Sequence, residues 1–128
     1  MTVKRILMLA AVLEIATGVG LVAVPMLVVQ LLLGVYAPWT SIWIARLAGV
    51  MLASLAVACW PSAGSEPYAP AWRGMLMYNA LVSACFVYLV TVGKIGGVLI
   101  WPAAVAHALI AAALVWKRPA SGAAPSGR

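Results

Sequence analysis

Apolar residues fill four long stretches of this chain, and turn-forming or charged residues separate them. The stretches cover residues 6–24, 41–60, 74–92 and 97–116. Each is close to the about 20 residues that an α-helix needs to cross a hydrocarbon core of about 30 Å. Backbone groups must be hydrogen-bonded within lipid, so each stretch is predicted to be helical. The pattern predicts an all-α fold, a four-transmembrane-helix up-down bundle.

A shorter apolar segment, residues 25–34, separates the first two predicted spans. Pro25 is suited to a first helical position, and Gly34 is suited to the residue after a helix end. The segment is too short to span, which predicts a short interfacial helix between helices 1 and 2. Residues 119–128 are small and rich in Pro, Gly and Ser, a composition typical of disorder. Residues 1–118 are therefore predicted to form a single transmembrane domain, followed by a disordered cytoplasmic tail.

The composition agrees with lipid as the solvent. Of 128 residues, 66% are hydrophobic and only 8% are charged, whereas soluble domains average about 25% charged residues. All six tryptophans lie at or near the ends of predicted spans, where an indole ring meets both lipid and water. These predicted interface anchors are Trp39, Trp43, Trp60, Trp72, Trp101 and Trp116.

The net charge of +6 indicates an orientation. The basic residues that would face the cytoplasm with the N-terminus are Lys4, Arg5, Arg73, Lys117, Arg118 and Arg128. Only Lys94 would then lie in an outer loop, so the positive-inside rule predicts that both termini are cytoplasmic. No basic patch is interleaved with aromatic residues, so no nucleic-acid partner is predicted. The expected electrostatic partner is the anionic headgroups of the lipid bilayer.

The N-terminal stretch also resembles a secretory signal peptide. However, Glu14 interrupts its apolar region, and no A-x-A cleavage motif follows. The sequence therefore predicts an uncleaved first span.

Four strongly polar side chains fall inside the predicted spans, one in each: Glu14, Arg46, Asn79 and His107. An ionised group at the bilayer centre costs at least about 2.5–3.5 kcal/mol, so such groups normally face the bundle interior and pair. From the helical rise, Glu14 and His107 each lie about 13 Å from the inner boundary, and Arg46 lies about 8 Å higher. Small neighbours allow the helices to approach closely. We expect the four residues to form one buried polar cluster.

Three interpretations of this cluster are open. In the first, Glu14 and Arg46 form a structural ion pair, and His107 and Asn79 complete hydrogen bonds that fix the helix order. In the second, the same residues form a proton relay or a small-ligand site. In the third, the helices are rotated so that these groups face a partner protein.

The chain lacks the residues of several familiar sites. A single histidine, His107, cannot supply both axial ligands of a haem. A two-carboxylate hydrolase site is not expected, because Glu14 lies in the membrane and Glu66 in a cytoplasmic loop. Cys59 and Cys85 lie inside apolar runs and are not predicted to form a disulfide or a zinc site. The sequence predicts no catalytic centre, no metal site and no cofactor.

Four motifs give the chain a resemblance to known proteins. They are LEIATGVGLVAVPMLVVQLLLG, ARLAGVMLASLAVACWP, RGMLMYNALVS and LIWPAAVAHALIAAAL, all within residues 5–116. The pattern resembles uncharacterised small bacterial four-helix inner-membrane proteins that are loosely DoxX-like. This resemblance implies a bacterial inner-membrane four-helix bundle with the four polar residues inside its motifs. It implies no activity.

These observations together predict a multi-pass protein of the bacterial inner (cytoplasmic) membrane, with an accessory or scaffold function. The alternative is a small transporter, or a proton-conducting or ligand-binding membrane protein, that uses the buried Glu14, Arg46, Asn79 and His107. A membrane enzyme or redox subunit is disfavoured, because the sequence offers no ligand set and no nucleophile–base pair. The sequence leaves open whether the chain binds a membrane-protein partner or forms a homo-oligomer.

Overall fold

The computed structural model describes residues 2–60 and 69–117, which form five α-helices. In chain order they are α1 (Val3–Ala23), α2 (Pro25–Leu33), α3 (Trp39–Ala58), α4 (Ala69–Thr91) and α5 (Ile100–Trp116). The all-α fold and the short helix between the first two long helices are confirmed. The predicted tail, residues 119–128, and the loop that contains Glu66 lie outside the described residues.

Three helices are long and apolar enough to cross a membrane. They are Val3–Ala23 with 21 residues, Trp39–Ala58 with 20 and Pro70–Thr91 with 22. The fourth apolar helix, α5, has 17 residues, which is about 26 Å of helix. The structure thus confirms a helical protein with three candidate membrane spans and a shorter apolar helix.

The short helix α2 has the ends that its sequence predicts. Pro25 is its first residue, and Gly34 follows its last residue with a φ of 71°. The Gly34 N–H donates to the Gln30 carbonyl at 2.8 Å. A positive φ favours glycine, and this bond pairs one of the carbonyl groups that a helix end leaves free. That α2 lies in the outer membrane interface stays a prediction.

Helix α5 begins at Ile100, three residues later than predicted, because the preceding residues bind the end of α2. The Gly97 N–H donates to the Leu32 carbonyl at 2.8 Å. The Leu99 N–H donates to the Leu31 carbonyl at 2.9 Å. A Cβ on Gly97 would overlap the Leu31 carbonyl oxygen, so only glycine allows this approach. These bonds pair two more carbonyl groups at the end of α2.

Two facing glycines let α1 and α3 pack closely and antiparallel. A Cβ added to Gly18 would lie 2.7 Å from the Gly49 carbonyl oxygen. A Cβ added to Gly49 would lie 2.6 Å from the Gly18 carbonyl oxygen. Ala53 extends this small surface by one turn of α3. Lipid gives no hydrophobic drive for helix association, so such close van der Waals packing is what holds membrane helices together.

The four longer helices form two closely packed pairs, the α1–α3 pair and the α4–α5 pair. Helix α1 touches α4 and α5 to a much smaller extent. A cluster of buried residues joins the two pairs near the start of α1: Ile6, Leu7, Ala10, Cys59, Met75 and Leu114. The Trp72 indole N–H donates to the Leu114 carbonyl at 3.0 Å and holds α4 against α5 there.

Large apolar side chains cover the outside of the bundle, as a lipid environment requires. Leu9, Ile44 and Leu109 are each more than half exposed. The tryptophans lie near helix ends: Trp39 and Trp43 near the start of α3, Trp60 just after it, Trp72 near the start of α4, and Trp101 and Trp116 at the ends of α5. That these residues anchor the protein at the membrane interface stays a prediction.

Candidate functional site

A buried polar cluster lies where α1 meets the α4–α5 pair. It consists of Glu14 from α1, Tyr78 and Asn79 from α4, and His107 from α5, and we call these four residues the polar cluster. Glu14, Asn79 and His107 are 1%, 0% and 6% exposed. The structure therefore brings together three of the four polar residues predicted from the sequence.

Glu14 is held by one of its two carboxylate oxygens. The Tyr78 hydroxyl donates to Oε2 at 2.8 Å. The other oxygen, Oε1, is buried and has no hydrogen-bond partner in the described part of the chain. It lies 3.9 Å from His107 Nδ1, beyond hydrogen-bond distance. Glu14 and His107 therefore lie at the same depth, as the helical rise predicts.

His107 and Asn79 form the tightest contact of the polar cluster. His107 Nδ1 lies 2.7 Å from Asn79 Oδ1. The Asn79 amide nitrogen donates to the Met75 carbonyl at 2.8 Å, so the amide oxygen faces the ring. In this arrangement Nδ1 of His107 is the donor and Oδ1 the acceptor. The rings of Tyr78 and Phe86 pack on the imidazole, with centroids at 5.8 and 6.0 Å.

Ser83 extends the polar contacts by one turn of α4. Its hydroxyl donates to the Ala104 carbonyl of α5 at 2.9 Å. The sequence places Ser83 on the same helical face as Asn79, because residues four apart are neighbours on a helix. Both side chains point from α4 toward α5.

Arg46 lies apart from the polar cluster. Its guanidinium stacks on the Trp43 ring, with Cζ 5.0 Å from the ring centroid. The Nε atom is buried and has no hydrogen-bond partner among residues 2–60 and 69–117. Within these residues Arg46 does not join Glu14, Asn79 and His107 in the single cluster expected from the sequence, and the Glu14–Arg46 ion pair of the first interpretation is not formed.

Helix register and side-chain direction explain this correction. Gly18 faces Gly49, and the helices are antiparallel, so Glu14 and Arg46 lie about 10 Å apart along the bundle axis. Long side chains on a helix lean toward its N-terminus. On α3 that direction leads away from Glu14 and toward Trp43, one turn nearer the start of the helix.

Tyr78 is the member of the polar cluster that the sequence did not predict. Tyrosine is usually assigned to the membrane interface, where its hydroxyl reaches water. Two signals were present in the sequence. Tyr78 lies beside Asn79, and it is five residues past Arg73, or about 7 Å deeper along the helix. A hydroxyl at that depth needs a partner inside the bundle, and Glu14 supplies it.

The chemistry of the polar cluster is that of hydrogen bonding and proton exchange. It combines one carboxyl, one phenol, one amide and one imidazole group. In the part of the chain that the structure describes, no three His, Cys, Asp or Glu residues come together as a metal site. An apolar groove of about 640 Å³ lies elsewhere, along the α1–α3 pair beside Gly18 and Gly49.

The chain was compared with protein-family models, with curated proteins and with solved structures, and none of the three comparisons gave a match.

Proposed function

We propose that the chain is an accessory or scaffold protein that crosses the bacterial inner membrane four times, with both termini in the cytoplasm. The polar cluster holds its two helix pairs in a fixed relation. The three candidate spans and the apolar α5, antiparallel to α4, support the four crossings. The basic residues support the orientation. The motifs that resemble small bacterial four-helix proteins support the choice of membrane.

One observation supports a structural role for the polar cluster, namely the hydrogen bond between Glu14 and Tyr78. The α1–α3 and α4–α5 pairs have few contacts with each other outside the apolar cluster near the start of α1, and the Glu14–Tyr78 bond joins one pair to the other. The donors of Tyr78, Asn79 and His107 all have partners within the polar cluster or on the backbone. Interhelical hydrogen bonds add stability in lipid, where the hydrophobic effect gives no driving force between helices. The polar cluster is thus placed to fix how the pairs pack.

Copurification tests the accessory function. A tagged chain isolated from its native membranes in mild detergent is expected to bring down one protein in a constant ratio. Glu14→Met/Tyr78→Phe replaces the polar pair by apolar groups of similar size, which is often nearly neutral for stability. This double variant is expected to fold and to keep the partner. A chain that purifies alone under every mild condition would contradict the accessory function.

A second candidate function, proton binding or conduction, is favoured by the unpaired Oε1 of Glu14. That oxygen is buried and faces the His107 ring at 3.9 Å. Proteoliposomes that contain a pH-sensitive dye test this function under an imposed potential. If protons are conducted through the polar cluster, the proton flux into proteoliposomes with wild-type protein should exceed that into empty liposomes. Glu14→Gln should reduce the flux to the level of empty liposomes. If wild-type protein conducts no faster than empty liposomes, this candidate is rejected.

A further inference from the structure

Arg46 is a cation within an apolar helix, and no acidic residue pairs with it in the described part of the chain. The full sequence contains only two acidic residues, Glu14 and Glu66. Glu14 binds Tyr78 and lies about 10 Å lower along the bundle. Glu66, outside the described residues, follows the opposite end of α3 in the sequence. Arg46 is twelve residues, or about 18 Å of helix, from that end. A cation within a membrane-spanning helix normally pairs, and another molecule can supply the anion that the described residues do not.

The geometry directs the Arg46 guanidinium toward the membrane surface at the start of α3. Its Cζ lies over the ring of Trp43, one turn nearer that end. Trp43 also packs edge-on against Trp39, with ring centroids 6.2 Å apart. The two indoles are 55% and 72% exposed on the outside of the bundle. Exposed indoles near a span end are typical of the depth of lipid headgroups.

The donors of Arg46 fit a particular class of anion. Nε is buried and has no hydrogen-bond partner among the described residues, whereas the side chain as a whole is only partly buried. The guanidinium can therefore offer a planar fork of N–H groups, which matches two oxygens of one phosphate. The neighbouring indoles offer apolar surface beside that fork. The phosphate of a lipid can accept from the guanidinium while its acyl chains contact the indoles. A free phosphate can make only the first of these contacts.

We propose that Arg46 and Trp43 form a binding site for the phosphate of a phospholipid in the leaflet that meets the start of α3. The site prefers an anionic lipid, because a zwitterionic headgroup carries its own cation beside the phosphate. Arg46 binds the phosphate oxygens, Trp43 positions the guanidinium, and Trp39 packs beside the lipid. The site is separate from the polar cluster and does not depend on the accessory function.

Native mass spectrometry of the full chain in detergent micelles tests this site, with phosphatidylglycerol, phosphatidylcholine and inorganic phosphate as probes. Wild-type protein is expected to bind phosphatidylglycerol most tightly and inorganic phosphate least. Arg46→Met is expected to lower the affinity for the tightest phosphatidylglycerol about fivefold, the effect of one basic residue at a lipid surface. Arg46→Lys keeps the charge but loses the fork, so its affinity should be intermediate. Trp43→Leu should lower the affinity without removing a charge.

Arg73→Met is the charge-matched control, because Arg73 is exposed near the start of α4, at the other end of the bundle. It should leave the tightest lipid in place. Equal phosphatidylglycerol affinity in wild type and Arg46→Met would overturn the site. The site would also be overturned if inorganic phosphate bound as tightly as the lipid. The same holds if Arg46→Met lost a copurifying protein while its lipid binding was unchanged. If Arg46→Met does not fold, Arg46→Lys and Trp43→Leu decide the question alone.

Discussion

The hydroxyl of Tyr78 is expected to contribute measurably to the stability of the bundle. Tyr78→Phe removes one oxygen and hardly changes the side-chain volume, so the packing against His107 is kept. The change leaves both oxygens of Glu14 without a donor in the described part of the chain. Interhelical hydrogen bonds in membrane proteins average about 0.6 kcal/mol and reach about 1.7 kcal/mol. Hydrogen bonds to charged groups contribute about 1.5–3 kcal/mol. We expect a loss of about 1–2 kcal/mol.

Equilibrium unfolding in mixed micelles of a mild and a denaturing detergent, followed by circular dichroism, measures this loss. The matched control is Tyr88→Phe, because Tyr88 lies on the same helix, is 60% exposed and makes no side-chain hydrogen bond to the described residues. Its free energy of unfolding should change by less than about 0.5 kcal/mol. If the two variants unfold with equal free energies, the Tyr78–Glu14 bond does not hold the helix pairs together.

A double-mutant cycle assigns the loss to the contact between the two residues. Glu14→Gln and Tyr78→Phe each disturb the same bond, so the double variant should lose less than the two losses added together. Residues in direct contact typically show interaction energies of about 0.5–3 kcal/mol. Strict additivity would mean that the two side chains act independently, against the 2.8 Å contact.

Two further predictions concern topology and helix packing. Reporter fusions after Gly34 and after Gly93 should report the outside, and fusions within residues 61–68 the inside; a cytoplasmic signal after Gly34 would overturn the orientation derived from the basic residues. Gly49→Ala places a Cβ against the Gly18 carbonyl oxygen and the side chains of Leu21 and Val22 on α1 and should lower the free energy of unfolding by about 1–3 kcal/mol. Gly74→Ala, where a Cβ meets nothing within 4 Å, is its control in the same assay, and equal effects would contradict the close packing of α1 and α3.

The sequence predicts the helices well where hydropathy decides their limits, and less well where interfacial residues or tertiary bonds do. Helix α4 starts at Ala69, five residues before the predicted span, because the segment around Pro70 and Trp72 is helical but too polar to count as lipid-buried. Proline is well suited to such a first turn. Helix α5 starts later than predicted, because Gly97 is bonded to α2. No local pattern reveals that bond, which joins residues distant in the sequence.

For the polar cluster, the sequence predicts how far along its helix each residue lies, but not the direction in which its side chain points. The helical rise alone places Glu14 and His107 at one depth, and the structure brings them within 3.9 Å. The rise also gives the axial offset of Arg46, about 8 Å from the sequence and about 10 Å from the structure. It does not give the direction of the Arg46 side chain, which depends on the orientation of α3 and on the Trp43 ring. Tyr78 was missed because its residue type is associated with the interface.

The two charged residues within the spans therefore need different partners. Whether the two sites are energetically independent can be measured. Glu14 takes a hydrogen bond from a neutral phenol inside the bundle, whereas Arg46 lies on an indole ring that is half exposed to lipid. Mutations more than about 7–10 Å apart without shared partners add to within about 0.3–0.5 kcal/mol. Tyr78→Phe and Arg46→Met should thus have additive effects on the free energy of unfolding. Tyr78→Phe should also leave the affinity for phosphatidylglycerol unchanged. A strong interaction energy between the two variants would show that Arg46 and Glu14 sense each other after all, which would restore the ion pair in the membrane and remove the need for a lipid phosphate.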